Sequence, residues 1–214
     1  MSKYSPFSNL TSHEITEIRH CMFSETKIYK KGDIIIQMTD KSDVLGLIES
    51  GTAHLVRIDV DGNKSIMDYY EVGDIFGKRL SPHSSYDMYY IKAKEKCRIT
   101  FINLIKLLSR CDNNCTKHTV LLNNLLFITL EKSQMHLDIL SQRSIRQKLI
   151  TYFGHICTRN DSDSFTLPLS LSDLADYLSV DRSAMMREIK KMKSEEIISS
   201  DSNRITLNKN RYSF

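Results

Sequence analysis

The chain has 214 residues, 41% of them hydrophobic and 26% charged, with a formal net charge of +4, the make-up of a globular protein of one large or two small domains. No apolar run reaches the roughly 18 residues a membrane span needs, and the polar opening from Met1 to Leu10 lacks the apolar middle of a signal peptide, so a cytoplasmic protein without a membrane partner is expected. The cysteines, Cys21, Cys97, Cys111, Cys115 and Cys157, are odd in number and form no Cys-x-x-Cys pair, which argues against a disulfide framework.

Leu10, Ile15, Ile18 and Met22 recur at helical spacing and predict a short first helix ending near residue 22. From Ile28 to Ile105 short β-prone runs alternate with glycine turns: Lys31-Gly32-Asp33, Ser50-Gly51-Thr52, Asp61-Gly62-Asn63 and Val72-Gly73-Asp74. Asp61-Gly62 between two such runs is a strong hairpin signal. Ile91 to Ile102 supplies another strand pair. With Gly77, just after the last of these turns, five of the seven glycines fall in this framework, which reads as an antiparallel, jelly-roll-like β-roll.

Between about Asn114 and Ser141 there is no Gly or Pro, and ten apolar residues recur over about seven turns. A helix of about 28 residues would run about 42 Å. The stripe Leu122, Leu126, Thr129, Ser133, His136 and Leu140 steps by four and three, as in a coiled-coil seam, and other stripes fit nearly as well. Apolar residues on two faces suggest that one face packs on the roll and the other on a second copy; a single buried core helix is the alternative. Arg143 to Phe153 is helical again, and Asn160 to Ser164 is a polar loop. The fold class is α+β, divided into an effector-sensing roll (1–113), a dimerisation helix (114–141) and a winged helix-turn-helix (142–214).

The most informative segment runs from Leu169 to Met192. Ser170 and Asp173 have capping-box spacing, and Leu171, Leu174, Ala175 and Leu178 form one apolar face. Small Ala175 lets a second helix cross closely. Ser179-Val180-Asp181 makes the turn, with Ser179 where glycine is usual. Asp181 caps the second helix, whose buried stripe is Met185, Ile189 and Met192. Residues 182–193 carry five basic side chains and one acidic. Arg182, Ser183 and Arg187 are placed to reach base edges in a major groove, and Lys190, Lys191 and Lys193 to meet phosphates. Ser199 to Leu207 reads as a hairpin wing, with Asp201-Ser202-Asn203 at its tip and Arg204 beside the DNA backbone. Ser170, at the entry to the motif, completes the predicted DNA-binding set. From Gln142 onward, 12 Lys or Arg stand against 9 Asp or Glu, whereas the first 141 residues hold 18 and 17.

A glycine-turned roll, a long helix and a C-terminal winged helix-turn-helix together resemble the Crp/Fnr family of bacterial transcription regulators over nearly the whole chain. Val72-Gly73-Asp74-Ile75-Phe76-Gly77 is similar to the family's cyclic-nucleotide-binding-type domain, and Asp181-Arg182-Ser183-Ala184-Met185-Met186-Arg187-Glu188 to its recognition helix. The resemblance implies a non-enzymatic homodimer on an inverted-repeat promoter site, its two recognition helices about 34 Å apart, with RNA polymerase as a partner if it activates. It also places a candidate effector pocket at Phe76, Gly77, Lys78, Arg79, Ser84, Ser85 and Tyr86. Members that bind cyclic AMP carry Gly-Glu and then Arg-Ser or Arg-Thr; here Lys78 replaces the Glu, and Ser85 and Tyr86 stand where the pair belongs, so cyclic AMP is not expected. Only Cys21 lies in the N-terminal region where relatives hold an iron–sulfur cluster, so none is expected. Haem ligation through His83, and metal binding or thiol redox by Cys111, Cys115 and His118, are weaker readings than an ordinary loop and helix start. No cofactor is predicted. The expected function is a regulator with a sensor roll for an unidentified signal; the alternatives are a constitutive regulator with an empty pocket and a cupin-like metal enzyme. Against the enzyme, His54 is the one histidine of the strand core, and neither an HxH pair nor a GxSxG, Walker A or HExxH motif occurs.

Overall fold

In the computed structural model, which describes residues 5–37, 43–77, 87–109, 116–201 and 203–208, contacts divide the chain into two units, Met1–Glu131 and Lys132–Phe214. The first opens with helix α1 (Ser12–Met22), started by a capping box in which the Thr11 N–H donates to the Glu14 carboxylate at 2.8 Å. Eight strands follow: β1 (Phe23–Tyr29), β2 (Ile34–Gln37), β3 (Val44–Ser50), β4 (Ala53–Ile58), β5 (Lys64–Tyr70), β6 (Ile75–Gly77), β7 (Met88–Ala93) and β8 (Cys97–Asn103). They form two antiparallel four-stranded sheets, β1-β8-β3-β6 and β2-β7-β4-β5. The predicted hairpin joins β4 to β5. Gly62 takes φ +83°, and Asp59 Oδ1 accepts the N–H groups of Asp61 and Asn63. Those bonds, the Asn63 N–H first, hold the Asp59 carboxyl below its ordinary range.

Two cores make this unit. Between the sheets lie Ile35, Ile48, Leu55, Tyr70, Phe76, Ile91, Ile99 and Phe101. Gly46 on β3 leaves room for the Phe76 ring: a Cβ there would come within 2.4 Å of it. The second core lies where Leu45, Leu47, Ile75 and Ile102 of the first sheet meet α1, α2 (Leu104–Leu108) and the start of α3 (Lys117–Ser141) through Ile18, Met22, Leu107, Leu121 and Leu125. Lys117 of α3 also pairs with Glu17 of α1.

The second unit holds the end of α3, α4 (Ile145–Asn160), β9 (Ser164–Thr166), α5 (Leu171–Tyr177), α6 (Arg182–Ser194), β10 (Ile198–Asp201) and β11 (Arg204–Leu207). The strands form a sheet in the order β10-β11-β9. Its core includes Tyr152, Phe153, Leu174, Tyr177, Met185 and Met192, all buried. His136 of α3 lies flat on Tyr177 of α5, ring centres 4.1 Å apart, and its Nε2 is 3.0 Å from the Tyr177 carbonyl.

Four expectations change. Strand structure starts at Phe23, five residues before Ile28, because polar FSETKI pairs as an edge strand on β8. The loop over 160–164 is shorter than expected: α4 runs past Gly154 to Asn160, carrying Ile156 and Cys157 into the core, and β9 begins at Ser164. Short α2 was not expected. The solvent-facing stripe of α3 differs from the seam through Leu122 and His136. Leu122 packs against the first unit's core and His136 against Tyr177. The apolar residues left exposed are Leu126, Phe127, Leu130, Leu137 and Leu140, between 36% and 70% accessible. Leu126, Leu130, Ser133, Leu137 and Leu140 again step by four and three. A helix apolar on two faces fits two such stripes sharing several residues, and spacing alone does not choose between them.

Candidate nucleic-acid interface

The motif is built from three helix ends. Ser170 caps α5: its Oγ accepts the Asp173 N–H at 3.2 Å and donates to Asp173 Oδ2 at 2.7 Å. α5 closes in a Schellman turn, the Val180 N–H reaching the Ala175 carbonyl at 3.0 Å and the Ser179 N–H the Asp176 carbonyl at 2.9 Å. This turn requires left-handed backbone at Ser179, whose φ is +53°. Lys148 Nζ donates to the Leu178 carbonyl at 2.8 Å, a cation where the helix ends in bare carbonyls. Asp181 then caps α6, accepting the Ala184 N–H at 2.7 Å.

On α6, Met185, Ile189 and Met192 face the core. Ser183, Arg187 and Lys190, spaced i, i+4, i+7, run along the opposite face, with Arg182 and Lys191 flanking them; all five are exposed. Met186 shares that surface, 39% exposed. Sequence reasoning left it unassigned; the signal was there, since Met186 falls off the 185-189-192 stripe. Arg187 Nε lies 3.4 Å from the Ser183 carbonyl, so the side chain folds back along its helix.

The one acid of residues 182–193 is turned away. Glu188 accepts Nε of Arg146 on α4 at 2.5 Å, and the same guanidinium donates to both oxygens of Glu195 at 2.6 and 3.2 Å. This fork holds the Arg146 guanidinium protonated even more firmly than usual and pulls the Glu195 carboxyl below its ordinary range. It fastens the middle and end of α6 to α4 and leaves the outward face cationic. Sequence reasoning missed Arg146, because nothing in linear spacing links it to Glu188. Arg204, exposed on β11, pairs in register with Asp201 across the wing.

In the first unit, Phe76 is fully buried against Tyr70, ring centres 5.4 Å apart, and Gly77 lies against Val44 and Leu45. Phe76 is thus a core side chain. Lys78, Arg79, His83, Ser84, Ser85 and Tyr86 lie outside the described residues, as do Cys111 and Cys115; His118 stands in the first turn of α3. Cys97 is buried, its thiol 3.0 Å from the Thr52 carbonyl, and burial pushes that thiol upward. Among the described residues no three His, Cys, Asp or Glu side chains gather as a metal site, and no helix is long and apolar enough to cross a membrane.

Residues 26–114 match the cyclic nucleotide-binding domain, and residues 147–210 the Crp-like helix-turn-helix domain. The chain belongs to the Crp/Fnr family. Among Crp/Fnr relatives it is similar to the nitrogen fixation regulation protein FixK of Rhizobium meliloti, at 21% identity over 171 residues, covering 79% of this chain and 76% of that one. FixK of Bradyrhizobium diazoefficiens matches at 21% over 190 residues, 86% of this chain and 78% of that one. The fold resembles FixK2 from Bradyrhizobium japonicum, with a TM-score of 0.68 at 18% identity over 87% of this chain and 94% of that one. As a Crp/Fnr protein it is a DNA-binding transcription regulator.

Proposed function

We propose that this regulator acts as a homodimer on an inverted-repeat promoter site, joined through the exposed stripe of α3 and reading each half-site with α6. The observation that carries the reading is the outward face of α6: Ser183, Arg187 and Lys190 exposed in one line, with Glu188 held back on Arg146. Arg182, Ser183 and Arg187 contact base edges, Arg187 pairing bidentately with a guanine, and Met186 offers an apolar contact to a thymine methyl. Lys190, Lys191 and Arg204 meet phosphates. The Ser170 hydroxyl already bonds Asp173, so it acts through the position it gives α5 more than through its own contact. The roll senses a small molecule with no resident metal or haem, and RNA polymerase is the further partner at promoters it activates.

The test is a footprint on promoter DNA together with the mass of the free protein in solution. Two protected half-sites about one helical turn apart and a dimer mass are expected. Protection no stronger than on random duplex refutes the DNA-reading assignment, and a monomer mass refutes the α3 dimer.

A further inference from the structure

The inward row of the second sheet ends in a charge. Along β4, Ala53 and Leu55 join the core between the sheets, and Arg57 is the next residue of that row. Arg57 stands opposite Ser65 on β5 and Tyr89 on β7, and Tyr89 packs against the same core. Burial falls along every neighbouring strand toward the β4–β5 hairpin. Ala53 and Leu55 are buried but Arg57 is half-buried; Ala93 and Ile91 are buried but Tyr89 is half-buried; Tyr70 is buried but Met67 is half-buried. The fully buried packing of the roll therefore stops at this end, with Arg57 where it stops.

The Nε of Arg57 is shielded from water and has no hydrogen-bond partner. The acid nearest in sequence, Asp59, acts on it through charge, while its own oxygens accept from Asp61 and Asn63. Asp87 accepts the Tyr89 hydroxyl at 3.4 Å. A cationic N–H removed from water without an acceptor is costly, and an aliphatic side chain would complete the row of Ala53 and Leu55 without that cost. The planar guanidinium matches the two oxygens of a carboxylate.

We propose that this end of the roll binds a small carboxylic acid, its carboxylate paired with Arg57 and its apolar body lying against Tyr89 and Met67. This rests on the roll acting as a sensor. It places the recognition of charge on β4, outside the stretch from Phe76 to Tyr86 where the family resemblance puts the pocket.

The experiment is thermal melting of the full-length protein with benzoate and with its neutral counterpart benzamide, for wild type, Arg57→Met and Arg57→Lys. Benzoate raises the wild-type midpoint with increasing concentration, benzamide does not, Arg57→Met abolishes the shift and Arg57→Lys keeps part of it. Without ligand, Arg57→Met melts about 2–4 °C above wild type, because it removes a shielded N–H that has no acceptor. A benzoate shift that survives Arg57→Met, or an unliganded Arg57→Met that melts below wild type, overturns the inference. A shift by benzamide equal to that by benzoate overturns it and leaves the sensor reading standing. A wild type that neither probe moves overturns the inference and counts against the sensor reading as well.

Discussion

Arg187 and Lys191 stand one turn apart on the same helix, and in the proposed reading they divide the two tasks of a DNA-reading surface. Arg187→Ala is expected to cost about 1–3 kcal/mol on the preferred site and to narrow the gap between preferred and random duplex. Lys191→Ala should weaken every sequence alike and lower the slope of affinity against salt by about one phosphate. Titrating both variants on matched and scrambled duplexes at several salt concentrations measures the difference. Equal losses on all sequences for Arg187→Ala refute its base-reading role. Ser179 is a different kind of residue, one that only shapes the backbone. Beyond Gly77 the chain's single glycine is Gly154, inside α4, so α4, α5 and α6 all end in left-handed residues that are not glycine: Asp161, Ser179 and Glu196. Ser179→Gly should raise the stability of the second unit by about 0.5–1 kcal/mol, the reverse of glycine's usual effect. Chemical denaturation followed through the C-terminal unit reads the change.

At the scale of elements, α6 is held by Arg146 as well as by its own buried stripe. Arg146→Ala leaves Glu188 and Glu195 free beside the cationic face, so DNA affinity should fall several-fold although no DNA contact is removed. The pH dependence follows from Glu195. Its carboxyl is held below its ordinary value of 4.5 by the Arg146 hydrogen bonds. A depressed folded value means that the stabilisation is complete above that ordinary value and is lost as pH falls through the folded one. Wild type should therefore lose melting temperature in that acid range more steeply than Arg146→Ala. Parallel curves for the two proteins refute the link. On α3, Leu130→Glu puts a charge into the exposed apolar stripe. If that stripe joins two copies, the substitution should cost about 2 kcal/mol or more per buried leucine and shift the mass in solution toward the monomer. The stripe itself was only half legible in the sequence. Helical spacing showed that two faces were apolar, but assigning each face needed the contacts of Leu122 and His136. The start of the edge strand β1, the short edge strand β9 and the helix α2 were missed because their pairing or docking, and no strong local pattern, makes them regular.

Across the whole molecule, what was legible followed where physics is local. Glycine turns, the Asp61-Gly62 hairpin and the capped pair of helices from Ser170 onward rest on residues close in sequence, and the regulator family followed from them. Arg146 on Glu188 and Arg57 opposite Tyr89 join residues far apart, and chain order hides them. The signal side is where this matters most. The roll fills much of its interior with its own side chains, Phe76 among them, so the proposed ligand site is read from where that packing stops.

One feature carries beyond binding. The boundary between the two units falls within α3, a helix about 38 Å long. Leu121 and Leu125 are buried with the roll, while Ile139 is buried and His136 lies on Tyr177 in the second unit. A single run of backbone hydrogen bonds thus spans the two units. Amide hydrogen exchange should show it as a step near Glu131. Amides before the step should open with the roll and those after it with the helix-turn-helix, so that one rod reports two separate unfolding free energies.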